Sequence, residues 1–142
     1  MVTVLAVRHA DIDLPPASDD PGLNAAGRAR AGALVHLVRS SGVGAVFHSQ
    51  FARTQQTVAP AARVLGLDPR LTPSAAAFAQ DALSGDPEAV VLVAGHSDTI
   101  PAILVALGAT PAPAIGEREF DNLFVLTTRG GAHLLHLRYG SG

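Results

Sequence analysis

Val2-Thr3-Val4-Leu5-Ala6-Val7 runs directly into Arg8-His9. A six-residue run rich in Val and Leu reads as a buried strand of a parallel sheet. Ligands in open α/β sheets bind beyond the carboxyl ends of such strands. The dipeptide therefore delivers a guanidinium and an imidazole to the edge where this architecture places its chemistry. Taken alone, a polar strand end equally marks the place where a core stops.

The arrangement recurs. Ala89-Val90-Val91-Leu92-Val93-Ala94 is a second apolar run, followed by Gly95-His96-Ser97-Asp98-Thr99 and then a helical pattern. Between the two, Ala45-Val46-Phe47 reads as a short strand that leads into His48-Ser49-Gln50-Phe51-Ala52-Arg53-Thr54-Gln55-Gln56-Thr57. That places Arg53 in the first turn of a helix following a strand. Three strand ends thus offer His9, His96, Arg8 and Arg53 to one edge.

Guanidiniums are rigid forks that match phosphate oxygens bidentately. Helix N-termini add N–H groups and a dipole that favours an anion. A neutral imidazole is a nucleophile toward phosphorus. A second histidine, if protonated, stabilises charge on the equatorial oxygens. The residues read as a phosphoryl-binding site with a histidine nucleophile.

The same segments resemble the histidine phosphatase superfamily, also called the phosphoglycerate mutase-like family. Val7-Arg8-His9-Ala10 resembles its Arg-His-Gly signature, with Ala10 in place of the usual glycine. Leu23-Asn24-Ala25-Ala26-Gly27 is similar to the Leu-Thr-x-x-Gly that opens its first helix. Ser49 to Thr57 resembles its Ser-x-x-x-Arg-x-x-Gln-Thr element, and Gly95-His96-Ser97 its second histidine motif. The matches stand in family order from Val2 to about Leu107. The resemblance implies that His9 is the phosphorylated nucleophile and that Arg8, Arg53 and His96 form the phosphate pocket, with Ser49 also binding substrate. It implies a phosphatase acting on phosphomonoesters or phosphohistidine through a phosphohistidine intermediate. Larger relatives carry a glutamate as general acid downstream of the arginine helix. Here Leu71 to Gln80 contains no acid, and the first is Asp81. The long insertions that shape a mutase pocket are also missing. The chain is therefore most similar to the small bacterial branch that includes the phosphohistidine phosphatases. Mutase-like phosphoryl transfer, a non-catalytic phospho-ligand binding module and a metal hydrolase are the competing readings.

Composition agrees with an enzyme of this kind. At 142 residues one domain, spanning 1–142, is the expectation. Such a chain buries roughly 68–70% of its unfolded surface. With 15% charged and 48% hydrophobic residues, disorder is excluded. The formal net charge of −2 carries no nucleic-acid footprint. The absence of cysteine removes disulfides and thiolate metal sites. No stretch approaches the roughly 20 apolar residues of a membrane span, and the first apolar run is too short for a signal peptide. The expected setting is cytoplasmic, and the expected partner is a phosphorylated small molecule or phosphoprotein. No metal or other cofactor is expected, because the cationic side chains stand in for one.

Strands alternating with helices predict a single three-layer α/β/α sandwich with a mostly parallel sheet. Helices are predicted from Ala25 to about Ser40, with Asn24 as N-cap, from about Ala52 to Leu65, and from Thr99 to Leu107. Along the first, Ala29, Gly32, Ala33, His36 and Leu37 share one side. Pro60 lies inside the second, and Gly66 closes it. Leu123 to Thr127 and Ala132 to Arg138 alternate around Gly130-Gly131 and read as a C-terminal hairpin.

Asp11 and Asp98, each two residues past a pocket histidine, are the candidate general acids for a poor leaving group. Asp98 also reads as a helix N-cap, and Asp11 as the start of a loop. His36 reads as a surface or structural residue, and His48 as a neighbour of the pocket. His133 and His136 fall on opposite faces of a strand, which argues against a metal pair. Glu117, Glu119 and Asp121 form an acidic loop, read as solvated, with the pocket rim as the alternative.

Overall fold

Arg8 pairs with Gly95 in the register of two adjacent parallel strands, and this pairing decides where the chemistry sits. The computed structural model describes residues 1–140. Its elements in chain order are β1 (Thr3–Arg8), α1 (Ala25–Val38), β2 (Ala45–His48), α2 (Ala52–Leu65), β3 (Arg70–Leu71), α3 (Ala75–Ser84), β4 (Val90–Gly95), α4 (Thr99–Ala106), β5 (Asn122–Thr127) and β6 (His133–Arg138). The strands form one sheet in the order β3-β2-β4-β1-β5-β6. The first four are parallel to one another, β5 runs antiparallel to β1, and β5 and β6 form the expected antiparallel hairpin.

The period of two along β1 divides its side chains between two cores. Val4 and Ala6 pack with Phe78, Ile100, Leu104, Phe124 and Leu126 on the face covered by α3 and α4. Leu5 and Val7 pack with Leu34, Val38, Val58, Ala61 and Leu123 on the face covered by α1 and α2. The result is the α/β/α sandwich that the alternation of elements predicted, with β1 near its centre.

α1 begins as read: the Asn24 side chain accepts the Gly27 N–H at 2.9 Å. The helix stops at Val38, with Arg39 as its cap. Its buried side carries Gly27, Arg30, Ala31, Leu34 and Val38. The side that carries Ala29, Gly32, His36 and Leu37 faces solvent. α2 matches its predicted span, with Pro60 inside it and Gly66 in the left-handed conformation at φ 70°. Gly130 and Gly131 turn the hairpin with φ of 66° and 113°, a conformation that favours glycine. The outer strand β6 leaves Leu134, Leu135 and Leu137 exposed.

β3 and α3 have no counterpart in the sequence pattern. β3 is two residues long, too short to show a period. α3 reads Ala-Ala-Ala-Phe-Ala-Gln-Asp-Ala-Leu-Ser, where alanine blurs the contrast between faces. Its start is nevertheless capped by Ser74, whose side chain accepts the Ala77 N–H.

Gly27 and Gly32 lie in the same helix and make opposite predictions. A Cβ on Gly27 would fall against the Asp11 backbone, whereas one on Gly32 meets nothing within 4 Å. Gly27→Ala should lower stability by about 1–3 kcal/mol through forced backbone movement. Gly32→Ala should raise it by roughly 0.5–1 kcal/mol by removing conformational freedom. Urea unfolding of both variants checks this, and equal effects of one sign would refute the packing assigned to α1.

Candidate active site

The β1–β4 register continues one residue past the strands, where the His9 N–H donates to the Gly95 carbonyl at 2.8 Å. His9 and His96 thereby leave adjacent strand ends together, with ring centroids 5.5 Å apart. α2 follows the neighbouring β2 and brings Arg53 to the same edge in its first turn. Arg8, His9, Arg53 and His96 line one open cleft of about 660 Å³, together with Phe51, Ser97 and Asp98. All four residues expected in a phosphate pocket are brought together.

His9 is almost fully buried, at 3% exposure. Its Nδ1 lies 2.8 Å from the Ala10 carbonyl, which can only accept, so Nδ1 carries the proton and Nε2 the lone pair. Burial lowers its pKa to about 3, and Arg8, Arg53 and His96 add to the shift against the opposing pull of the Ala10 carbonyl. The ring is therefore neutral at physiological pH, the state that attack requires. The backbone that holds it is braced from α2. The Thr57 hydroxyl accepts the Ala10 N–H at 2.8 Å and donates to the Arg53 carbonyl at 2.7 Å.

His96 is also neutral in this arrangement, its pKa lowered to about 4 by burial and then by Arg53, with Asp98 opposing. Its Nε2 is 2.8 Å from the Ser49 hydroxyl, which is itself 2.9 Å from the Thr54 hydroxyl. Ser49 thus reaches the site through His96. An arriving phosphoryl dianion would favour protonation of His96 by the same electrostatics, run in reverse.

Among the described residues, neither Arg8 nor Arg53 forms an ion pair with a carboxylate. Arg8 is 6% exposed, with its guanidinium carbon 4.3 Å from the centre of the Phe120 ring. Its Nη1 donates to the carbonyls of Gly116, Glu117 and Glu119 at 3.1, 2.8 and 2.9 Å. Arg53 lies over Phe51 at 4.6 Å. Among the described residues, the buried Arg8 Nε and the buried Arg53 Nε and Nη1 have no hydrogen-bond partner. Buried unpaired donors on two neighbouring cations are costly unless an anion completes them.

The remaining sequence candidates separate. Asp98 lines the cleft and makes no capping hydrogen bond, although it occupies the cap position of α4. Asp11 points elsewhere: its carboxylate takes Arg30 Nε at 2.7 Å and lines a different cavity. Asp81 lies on a third cavity, beside Gly85 and Asp86, and lines no part of the cleft. His48 bonds to the Ser49 carbonyl and is not among the cleft residues. His136 stacks on Phe124 and His133 bonds to the Arg129 carbonyl, so the two serve separate local structures. The α2 N-terminus is already engaged, since Asp20 accepts the Ala52 N–H at 2.9 Å.

Sequence reasoning missed Thr54, Thr57, Phe51, Phe120 and the carbonyls of Gly116, Glu117 and Glu119. The acidic loop does border the cleft, through Glu117. Its contribution to Arg8 comes from main-chain oxygens, which no residue type announces. Among the described residues no group of three or more His, Asp or Glu is placed to hold a metal, and no helix is long and apolar enough to cross a membrane.

The family model of the histidine phosphatase superfamily (branch 1) matches residues 4–76, which include Arg8, His9 and Arg53. The chain belongs to the histidine phosphatase superfamily. The second histidine of this superfamily member, His96, lies beyond the matched segment and enters the site through the sheet register described above. The protein histidine phosphatase SixA, in its tungstate complex, superposes with a TM-score of 0.75 at 22% identity over 96% of both chains. A candidate phosphohistidine phosphatase SixA from Nakamurella multipartitia gives 0.68 at 26% identity, covering 98% of this chain and 96% of that one. Mycobacterial glucosyl-3-phosphoglycerate phosphatase gives 0.72 at 13% identity over 99% of both. In sequence, 54 residues, or 37% of the chain, are 44% identical to PE-PGRS family protein PE_PGRS11 of Mycobacterium tuberculosis, a match that spans 9% of that protein.

The two lowered histidine pKa values set a pH dependence. Below about pH 6.5 the unfolded chain protonates both rings, while the folded state resists until about 3 and 4. The unfolded state then binds more protons, so stability falls as pH drops through that window and gains nothing from these groups above it. Urea midpoints measured at about pH 7 and about pH 4.5 should show a smaller drop in a His9→Asn/His96→Asn double variant than in the parent. An unchanged drop would mean that neither ring is held neutral.

Proposed function

We propose that this protein is a phosphatase that transfers a phosphoryl group to His9 and then to water. The observation that carries the reading is the pairing of a neutral His9, oriented by the Ala10 carbonyl, with buried guanidinium donors that lack partners. In the first step His9 Nε2 attacks phosphorus, the bond to the leaving group breaks, and phosphohistidine forms. In the second, water attacks the phosphohistidine, restoring the ring and releasing inorganic phosphate. Arg8 and Arg53 hold the phosphoryl oxygens through both steps, and His96, protonated beside the dianion, stabilises the charge that develops. Ser49 orients His96. The four cationic or polar side chains supply what a metal would supply elsewhere, and chelators should leave the rate unchanged.

The leaving group divides the possible substrates. An alkoxide needs a proton donor, and of the two candidates only Asp98 lines the cleft. Asp98 is exposed and makes no capping hydrogen bond, so its carboxyl is not fixed in place toward a leaving group. We therefore favour substrates whose leaving group needs little help: the imidazole of phosphohistidine, or an activated phosphomonoester.

His9→Ala should abolish turnover, and acid-labile label should be trapped on the parent protein alone after brief reaction with labelled substrate. Arg53→Lys should remain roughly 10- to 100-fold below the parent, because an ammonium cannot replace the fork. Steady-state rates on an aryl phosphate, an alkyl phosphate and a phosphohistidine peptide test the substrate choice. Selective loss of alkyl hydrolysis in Asp98→Asn would identify that carboxyl as the acid. Retained turnover in His9→Ala would overturn the mechanism.

A further inference from the structure

Arg8 is gripped at one end. Its Nη1 carries two hydrogens, and three carbonyls from Gly116, Glu117 and Glu119 surround it within 3.1 Å. That nitrogen is spent on the loop, which leaves the Nε and Nη2 side of the guanidinium. This side is the parallel pair of N–H donors that meets two phosphate oxygens at once. Nε is buried and has no other partner among the described residues. The loop therefore selects which edge of Arg8 is presented to the cleft.

What holds the loop is the side chain of Glu119. Its Oε1 accepts the Gly116 N–H at 2.9 Å, folding the loop back on itself, while the Glu119 N–H donates to the Gly116 carbonyl at 3.1 Å. Its Oε2 accepts from Asn122 Nδ2 at 3.3 Å. Asn122 is 1% exposed at the start of β5, and its Oδ1 takes His136 Nε2 at 2.7 Å from β6. Arg138 adds a longer contact at 3.5 Å. The carboxylate thus joins the loop to the antiparallel edge of the sheet.

We propose that Glu119 is a positioning residue for phosphoryl transfer: by pinning residues 116–119 to β5 it fixes the carbonyl cup that rotates Arg8 so that its Nε–Nη2 edge faces the phosphoryl group. The proposal rests on the reading of Arg8 as a phosphate ligand. Glu119 touches no substrate. Its removal frees the loop, lets Arg8 rotate, and weakens binding and rate together, because misplacement by an ångström at such a site costs up to roughly 100-fold.

The test compares Arg8→Ala, Glu119→Ala, Glu119→Gln, Asp121→Asn and the Arg8→Ala/Glu119→Ala double variant. Each is measured for vanadate affinity and for kcat/KM on an aryl phosphate, normalised to the folded fraction by circular dichroism. Asp121 is the control, because it also pairs with Arg138, at 2.8 Å, without touching the 116–119 loop. Glu119→Ala should lose roughly 10- to 100-fold in kcat/KM and weaken vanadate. Glu119→Gln, which keeps an oxygen for the Gly116 N–H, should recover much of it, and Asp121→Asn should match the parent. In the double variant the loss should be close to that of Arg8→Ala alone. Parent-like kcat/KM and vanadate affinity in folded Glu119→Ala, or multiplicative losses in the double variant, would overturn the positioning role while leaving the phosphate pocket in place. Parent-like vanadate affinity in Arg8→Ala would overturn the pocket and this inference with it.

Discussion

Two guanidiniums face the same cleft, and among the described residues neither forms an ion pair with a carboxylate; much of the surrounding structure answers that constraint. Burial and the neighbouring Arg53 both lower the affinity of Arg8 for its proton. A guanidinium stays charged under such pressure, so the chain must supply dipoles instead. It does so with three carbonyls on Arg8 and with aromatic faces under both arginines. The same positive field, added to burial, keeps His9 and His96 unprotonated. The placement of the cations and the neutral state of the two rings are thus one electrostatic arrangement rather than two.

Most of the carboxylates around the site act as braces. Asp11 binds Arg30, whose Nη1 also donates to the Tyr139 carbonyl at 2.7 Å, so one ion pair ties the segment after β1, α1 and the end of β6 together. Asp20 sits on the N-terminus of α2. Glu119 closes the loop behind Arg8. Asp11, turned toward Arg30 and lining a different cavity, is not placed to give a proton in the cleft. Its position in sequence, two residues past His9, gave no sign of Arg30 as its partner.

The parts of the fold visible in sequence were those with a strong period or a strong stop. β1 and β4 are continuous apolar runs, α2 ends on Gly66, and the hairpin turns on two glycines; each matched the structure within a residue or two. The gathering of Arg8, His9, Arg53 and His96 at one cleft was legible because strand ends point to one edge in a parallel sheet. α3 was not, since an alanine-rich helix with one phenylalanine shows no apolar stripe. The carbonyl cup was not, since backbone oxygens are the same in every residue. Thr54 and Thr57 lay inside a recognised motif, yet their hydrogen bonds depend on β1 arriving beside α2, which local sequence does not encode.

β1 is flanked on both sides by strands drawn from far along the chain, Val90–Gly95 and Asn122–Thr127. During synthesis from the N-terminus, His9 is made well before both sheet neighbours of its strand. The strand that carries it pairs only with segments beyond residue 89, and closing loops of that length precedes any gain from the contacts. Arg8 waits longer still, because the carbonyls that hold it belong to residues 116–119. The surroundings of His9 are consequently assembled late: a nascent fragment that ends before residue 116 bears the Arg-His pair but lacks the carbonyls that hold Arg8 in place.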